Sequence, residues 1–251
     1  MKQVYVLLAS AAAVASAACN AENGSSANAG PSEPVKAVAP PQGGDWSKLV
    51  SKTPQGGFVM GNPNAAVKLV EIGSMTCPHC AKFEMTGTEK LINDYVKSGR
   101  INFEFRNFVR DPFDLTASLI ARCGGPERFF PLTHALFASQ GEWTGKLQNV
   151  PQSQLQALSS LSPDRQFVEI AKLTGFQQWA AQRGVPSARS SACLKNQSEI
   201  NQLVQMNSDV TTQFPDFKGT PSFLINGKMV ENAGTWEALQ PKLREALGER
   251  S

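Results

Sequence analysis

Histidine, tyrosine and any excess of one charge are scarce in this chain: 251 residues carry two His, two Tyr and a formal net charge of only +3. So even a balance of 24 basic and 21 acidic residues excludes the basic stripe that a nucleic-acid partner needs. Beyond residue 18 no apolar run reaches the roughly 20 residues of a membrane-spanning helix, which excludes a multi-span membrane protein. Residues 20–44 lack a sustained heptad, so no coiled-coil stalk is expected there, and no internal repeat stands out along the chain. Cysteine is sparse, five residues in all, and only Cys77 and Cys80 are closely spaced. Cys123, Cys193 and His134 supply no second ligand pair, so a zinc site is the lesser reading and no metal or organic cofactor is expected. The remaining composition, 41% hydrophobic and 18% charged, is that of a globular domain.

From its N-terminus the domain is expected to work outside the cytoplasm. Lys2 is followed by an uncharged Ala/Val/Leu stretch from Val4 to Ala18, which reads as a signal peptide over residues 1–18. Ala15-Ser16-Ala17 is a small-x-small cleavage site. Extended to Cys19 it resembles a bacterial lipobox, and lipidation of Cys19 is the preferred reading because it accounts for the odd cysteine. Residues 20–44 are nearly all Asn, Gly, Ser, Ala and Pro, so 19–44 is expected to be a flexible tether, with folding under way somewhere over 45–58. The expected location is periplasmic, with a lipid anchor as the only membrane attachment.

Val67 to Ile72 is apolar on both faces except at Lys68 and Glu71, the pattern of a central strand. A helix is expected over 81–97 and a second strand over 101–109, making a β-α-β unit. From Asp111 to Phe217 the pattern turns helical, with starts at Asp111-Pro112, Pro126, Ser162-Pro163, Phe176, Pro186 and Ser198. Phe129, Phe130, Phe137, Trp143 and Trp179 fit its core or lining, and His134 a helix face. Strands at 222–225 and 228–230 flank Asn226-Gly227, a type I′ hairpin signal, and a last amphipathic helix follows from Trp236 to Leu247.

Chemistry concentrates at Cys77-Pro78-His79-Cys80. With Cys77 capping a helix and Pro78 at its first position, the Cys77 sulfur faces unpaired N–H groups and the positive end of the helix dipole, which favour thiolate. His79 adds a donor or cation beside it. A stabilised thiolate makes the reduced pair favourable and its disulfide oxidising. Glu71, six residues upstream on the buried strand, is either a proton acceptor or electrostatic tuner of the thiols or the partner of a base such as Lys68. Cys123 and Cys193 are expected to pair as a structural disulfide, free buried thiols being the alternative.

Val70-Glu71-Ile72, Cys77-Pro78-His79-Cys80 and Gly219-Thr220-Pro221-Ser222-Phe223-Leu224-Ile225-Asn226-Gly227 together resemble the DsbA-like thiol:disulfide oxidoreductases. The resemblance covers about residues 58–251. It implies an α/β thioredoxin-like fold, here 45–110 plus 218–251, interrupted by an all-helical insertion over 111–217. It also implies Cys77 as nucleophile, Cys80 as buried resolving cysteine, and Pro221 as a cis-proline facing the pair. Thr220 stands where the best-known members have Val, and matches the isomerases. The implied partners are reduced exported proteins and a thiol-oxidising membrane protein. The expected activity is that of a monomeric oxidase, since no heptads would assemble an isomerase cleft; an isomerase or reductase, or a redox-inactive metal-carrying lipoprotein, are the alternatives.

Overall fold

The computed structural model of the protein describes residues 33–249. The expected leader over 1–18, Cys19 and most of the expected tether lie outside them. The tether expectation differs at its far end. Val35 N–H donates to Leu247 O (2.8 Å) and Val38 N–H to Ser98 O (2.8 Å), while Val38 O accepts from the buried Trp46 indole (2.7 Å). Two valines in an otherwise small and polar segment are enough to lay residues 35–38 along the domain, where Val35 joins the apolar cluster around Leu247.

Six strands form one sheet in the order β1-β2-β4-β3-β5-β6, with β1 Val50–Lys52, β2 Phe58–Met60, β3 Val67–Gly73, β4 Ile101–Asn107, β5 Ser222–Ile225 and β6 Lys228–Val230. Only β3 and β4 run parallel, Leu69 opposite Phe103 and Glu71 opposite Phe105. Their crossover is α1 (Pro78–Phe83), a π turn (Glu84–Thr88), α2 (Glu89–Leu91) and a second π turn (Ile92–Val96), where the sequence predicts one regular helix. The strand expected to reach residue 109 ends at Asn107, because Val109 N–H is taken by Asn207 Oδ1 (2.9 Å). At the other edge Asn226 and Gly227 both adopt positive φ (49° and 80°), as the I′ turn between β5 and β6 requires.

The period of two along β3 divides its side chains between two faces. Val67 and Leu69 meet Phe83, Leu91 and, from α11 (Trp236–Ala246), Trp236, Leu239 and Leu243. Val70 and Ile72 pack with Leu224 and with Val210 of the long helix over Gln197–Gln213.

Between β4 and β5 run α3 (Pro112–Cys123), α4 (Pro126–Ala138), α5 (Gln140–Gln148), α6 (Gln152–Ser159), α7 (Pro163–Thr174), α8 (Phe176–Ala181), α9 (Ser187–Leu194) and α10 (Gln197–Gln213). Their common core holds Phe129, Phe137, Trp143 and Phe176, and it is continuous with the sheet: Phe129 stacks on Phe58 of β2 at 4.1 Å between ring centroids. Cys123 and Cys193 are joined by a disulfide that ties α3 to α9 across a sequence separation of 70. Among the described residues no helix is long and apolar enough to cross a membrane.

Candidate active site

Gly73 ends β3 with the ring of Phe105 so close that a Cβ would stand 2.6 Å from it, and the chain then turns through Ser74–Thr76 to Cys77. Cys77 is the N-cap of α1 in extended conformation (φ −80°, ψ 119°), and Pro78 fills the first helical position, where no N–H is needed. Cys80 follows within the first turn and is fully buried; Cys77 is 3% exposed. Both are free thiols and both belong to the core shared by the sheet and the helical insertion.

Opposite Cys77 stands the loop before β5. The Thr220–Pro221 peptide is cis, and the Cys77 thiol donates to the Thr220 carbonyl at 3.2 Å. Beyond Pro221 opens a cavity of about 600 Å³ lined by Phe214, Phe217, Gly219, Met229 and Val230, among others.

The environment drives the two thiols apart. The Cys77 pKa is lowered to about 5 by a hydrogen bond from the Cys80 thiol, against the opposing effect of burial, with further help from the Thr220 hydroxyl and the main-chain N–H groups of Cys80 and His79. The His79 ring is exposed, and the His79 group that favours the thiolate is its main-chain N–H. Cys80 is pushed strongly upward, first by burial, then by its own bond to Cys77 and by the nearby Glu71 and Cys77 charges; Ser74 N–H, 3.5 Å from its sulfur, opposes this weakly.

Glu71 lies on the α1 face of β3, 1% exposed. Burial holds its pKa well above the usual carboxylate range, with Glu84 and Cys77 adding repulsion. Its Oε2 has no hydrogen-bond partner, and Lys68 turns away to donate to Pro63 O at 2.6 Å. Of the two sequence-based readings, the pairing with Lys68 is not what the structure shows.

Three residues at the site escaped sequence reasoning. Asp114, fully buried, accepts from Ser74 Oγ (2.6 Å) and Met75 N–H (2.9 Å), and burial raises its pKa to about 6. Its position three residues after the N-cap Asp111 reads as an ordinary first-turn acid. Gln140 donates to Met75 O (2.8 Å) and Cys77 O (3.0 Å), with no motif to mark it. Glu84, buried in the first π turn, meets Nδ1 of His134 at 3.0 Å, so this histidine is more than a helix-face residue: its pKa is raised by that bond. Among the described residues no group of three or more His, Cys, Asp or Glu converges to hold a metal ion.

Residues 53–245 match the family model described as Thioredoxin. A protein-disulfide isomerase from Novosphingobium aromaticivorans has 34% sequence identity and a TM-score of 0.73, over 80% of this chain and 100% of that one. α-DsbA1 of Wolbachia pipientis shares the fold, with a TM-score of 0.63 over 81% of this chain and 96% of that one at 19% identity. A protein of Rickettsia bellii (strain RML369-C) with the provisional name protein-disulfide oxidoreductase is 30% identical over 186 residues, 74% of this chain and 62% of its own length. The chain thus spans about 60% of the length of the curated relatives it matches. With this fold and a Cys-Pro-His-Cys pair at the start of α1, the chain belongs to the thioredoxin family.

Proposed function

We propose that the protein is an exported thiol:disulfide oxidoreductase that introduces disulfides into reduced exported proteins. The observation that carries this reading is the placement of two free thiols one helical turn apart, Cys77 at the N-cap of α1 with its Sγ 3.2 Å from the Thr220 carbonyl beside the cis Thr220–Pro221 bond, and Cys80 fully buried behind it, an arrangement that favours the Cys77 thiolate and disfavours that of Cys80. A substrate thiolate attacks Cys77 Sγ of the Cys77–Cys80 disulfide; the S–S bond breaks, and Cys80 leaves as a thiolate that takes up a proton, which a protonated Glu71 is placed to supply. A second substrate thiolate then attacks the substrate sulfur of the mixed disulfide and expels Cys77 as a stable thiolate. The substrate loses two electrons and the enzyme pair gains them, so a thiol-oxidising membrane partner has to return Cys77 and Cys80 to the disulfide. The cavity beside Pro221 offers an apolar wall for the substrate segment next to the reacting sulfur.

A second reading, disulfide isomerase, is favoured by Thr220 and by the name of the Novosphingobium neighbour. The deciding experiment uses the folded protein with a reduced and, separately, a scrambled disulfide substrate. Rapid stoichiometric oxidation of the first and slow reshuffling of the second is the expected outcome. Efficient reshuffling by protein kept reduced would assign isomerase, and loss of neither activity in Cys77→Ser would remove the pair from the mechanism.

A further inference from the structure

The backbone that carries Cys77 out of β3 is gripped by two buried side chains of the helical insertion. From α3, Asp114 Oδ1 accepts Met75 N–H (2.9 Å), and its Oδ2 accepts Ser74 Oγ–H (2.6 Å), Thr76 Oγ1–H (3.2 Å) and Arg110 N–H (3.1 Å). From α5, the Gln140 amide spends its two donor hydrogens on Met75 O (2.8 Å) and Cys77 O (3.0 Å). Met75 therefore has both its main-chain polar groups bonded to the insertion, and Cys77 has its carbonyl bonded there as well as to Ala81 N–H of α1 (3.1 Å). From the surface, the Arg110 guanidinium reaches this turn and donates to Thr76 Oγ1 at 2.8 Å. Sealing a turn would not by itself need side chains from two different helices, one supplying acceptors and the other donors.

We infer that Asp114 and Gln140 are positioning residues for the thiol chemistry: through Ser74–Cys77 they fix where Cys77 Sγ stands against the groups that favour its thiolate. This rests on the redox reading of Cys77 and Cys80 given above. The coupling follows from hydrogen-bond geometry, which weakens steeply with small changes of distance and angle. A displaced Cys77 loses part of its bonds from Cys80, Thr220 and the α1 N–H groups. The uncharged disulfide uses none of these, so a slack turn penalises the reduced state alone.

The test is carried out on the reduced full-length protein and two variants that strand no buried charge. Gln140→Met keeps the volume and removes both donors; Ser74→Ala removes one Asp114 bond from the other side. Thiolate ultraviolet absorbance is followed against pH, and the equilibrium with glutathione is measured for each. Gln140→Met is expected to raise the Cys77 midpoint by about one unit, about tenfold in the thiolate equilibrium, with Ser74→Ala smaller in the same direction. The disulfide should become less oxidising in step, while exposed Glu142→Gln leaves both readouts unchanged. A wild type without thiolate below neutral pH would sink the redox reading itself. A wild type with that thiolate and variants that titrate with it would overturn the positioning role and leave the redox reading standing. If circular dichroism shows Gln140→Met unfolded, Ser74→Ala decides alone, and a curve coincident with wild type overturns the inference.

Discussion

At the scale of single residues, Cys77 and Cys80 differ because one sulfur receives donors and the other is deprived of them. Cys77 takes the Cys80 thiol proton as a hydrogen bond and adds the Thr220 hydroxyl and two main-chain N–H groups; Cys80 is buried and faces Glu71. Thr220 is the contributor that mutation reaches most cleanly, since valine has nearly its shape without the hydroxyl. Thr220→Val is expected to raise the Cys77 pKa by about one unit, the size of a lost hydrogen bond to a charged group. His79→Ala should move it less, because the His79 group that favours the thiolate is its main-chain N–H, which alanine retains. Alkylation rate against pH measures both, and a larger shift for His79→Ala would return the ring to the role that the sequence suggests.

At the scale of elements, the insertion is held internally by the Cys123–Cys193 disulfide between α3 and α9, and against the sheet by Phe129, which packs on both Phe58 and Phe105. A 70-residue separation closed by a crosslink is worth about 4 kcal/mol in the chain-entropy model, with about 2–4 kcal/mol the usual range. The Cys123→Ser/Cys193→Ser protein should therefore lose about 2–4 kcal/mol of unfolding free energy by denaturant titration, with the Cys77 titration in place. What the sequence makes legible among the elements is what periodicity and turn chemistry encode: β3, α1 with Cys77 at its N-cap, the Asn226-Gly227 hairpin, the Asp111-capped start of α3 and the proline-marked start of α7, whereas α10 begins one residue before the expected Ser198 because Asn196 caps it. The short strands β1 and β2 have too few residues to show a period. Helix α5 carries two glycines and little apolar stripe, and is held by Trp143, whose indole donates to Leu136 O at 3.0 Å. The two π turns shift a helix by one residue with no mark in the pattern. Asp114 and Gln140 were invisible for another reason: each bonds residues distant in sequence, a relation that spacing does not record.

At the scale of the whole molecule, the site couples redox state to stability, and pH exposes the coupling. A thiol whose folded pKa is depressed stabilises the fold above its unfolded pKa and loses that contribution as pH falls through the folded value. For Cys77 the window runs from about 5 up to its ordinary value of 9.0, so its contribution to the reduced protein grows with pH across that range. Groups with raised pKa act in the opposite sense: Glu71 and Asp114 bind protons more tightly when folded and erode stability as pH rises above the ordinary carboxylate range, and Cys80 does so above 9.0. Asp114 is common to both redox states, as is the burial of Glu71. Subtracting the unfolding free energy of the oxidised protein from that of the reduced protein at each pH therefore removes most of the carboxylate contribution and leaves the thiols. The difference is expected to rise from pH 5 to 9 and to flatten or fall beyond, where Cys80 takes over. In Cys77→Ser, compared with reduced wild type by urea unfolding, the rise should disappear. A flat difference in the wild type across this window would mean that Cys77 holds no stabilised thiolate in the folded state, and the oxidising character assigned to the pair would have no thermodynamic source.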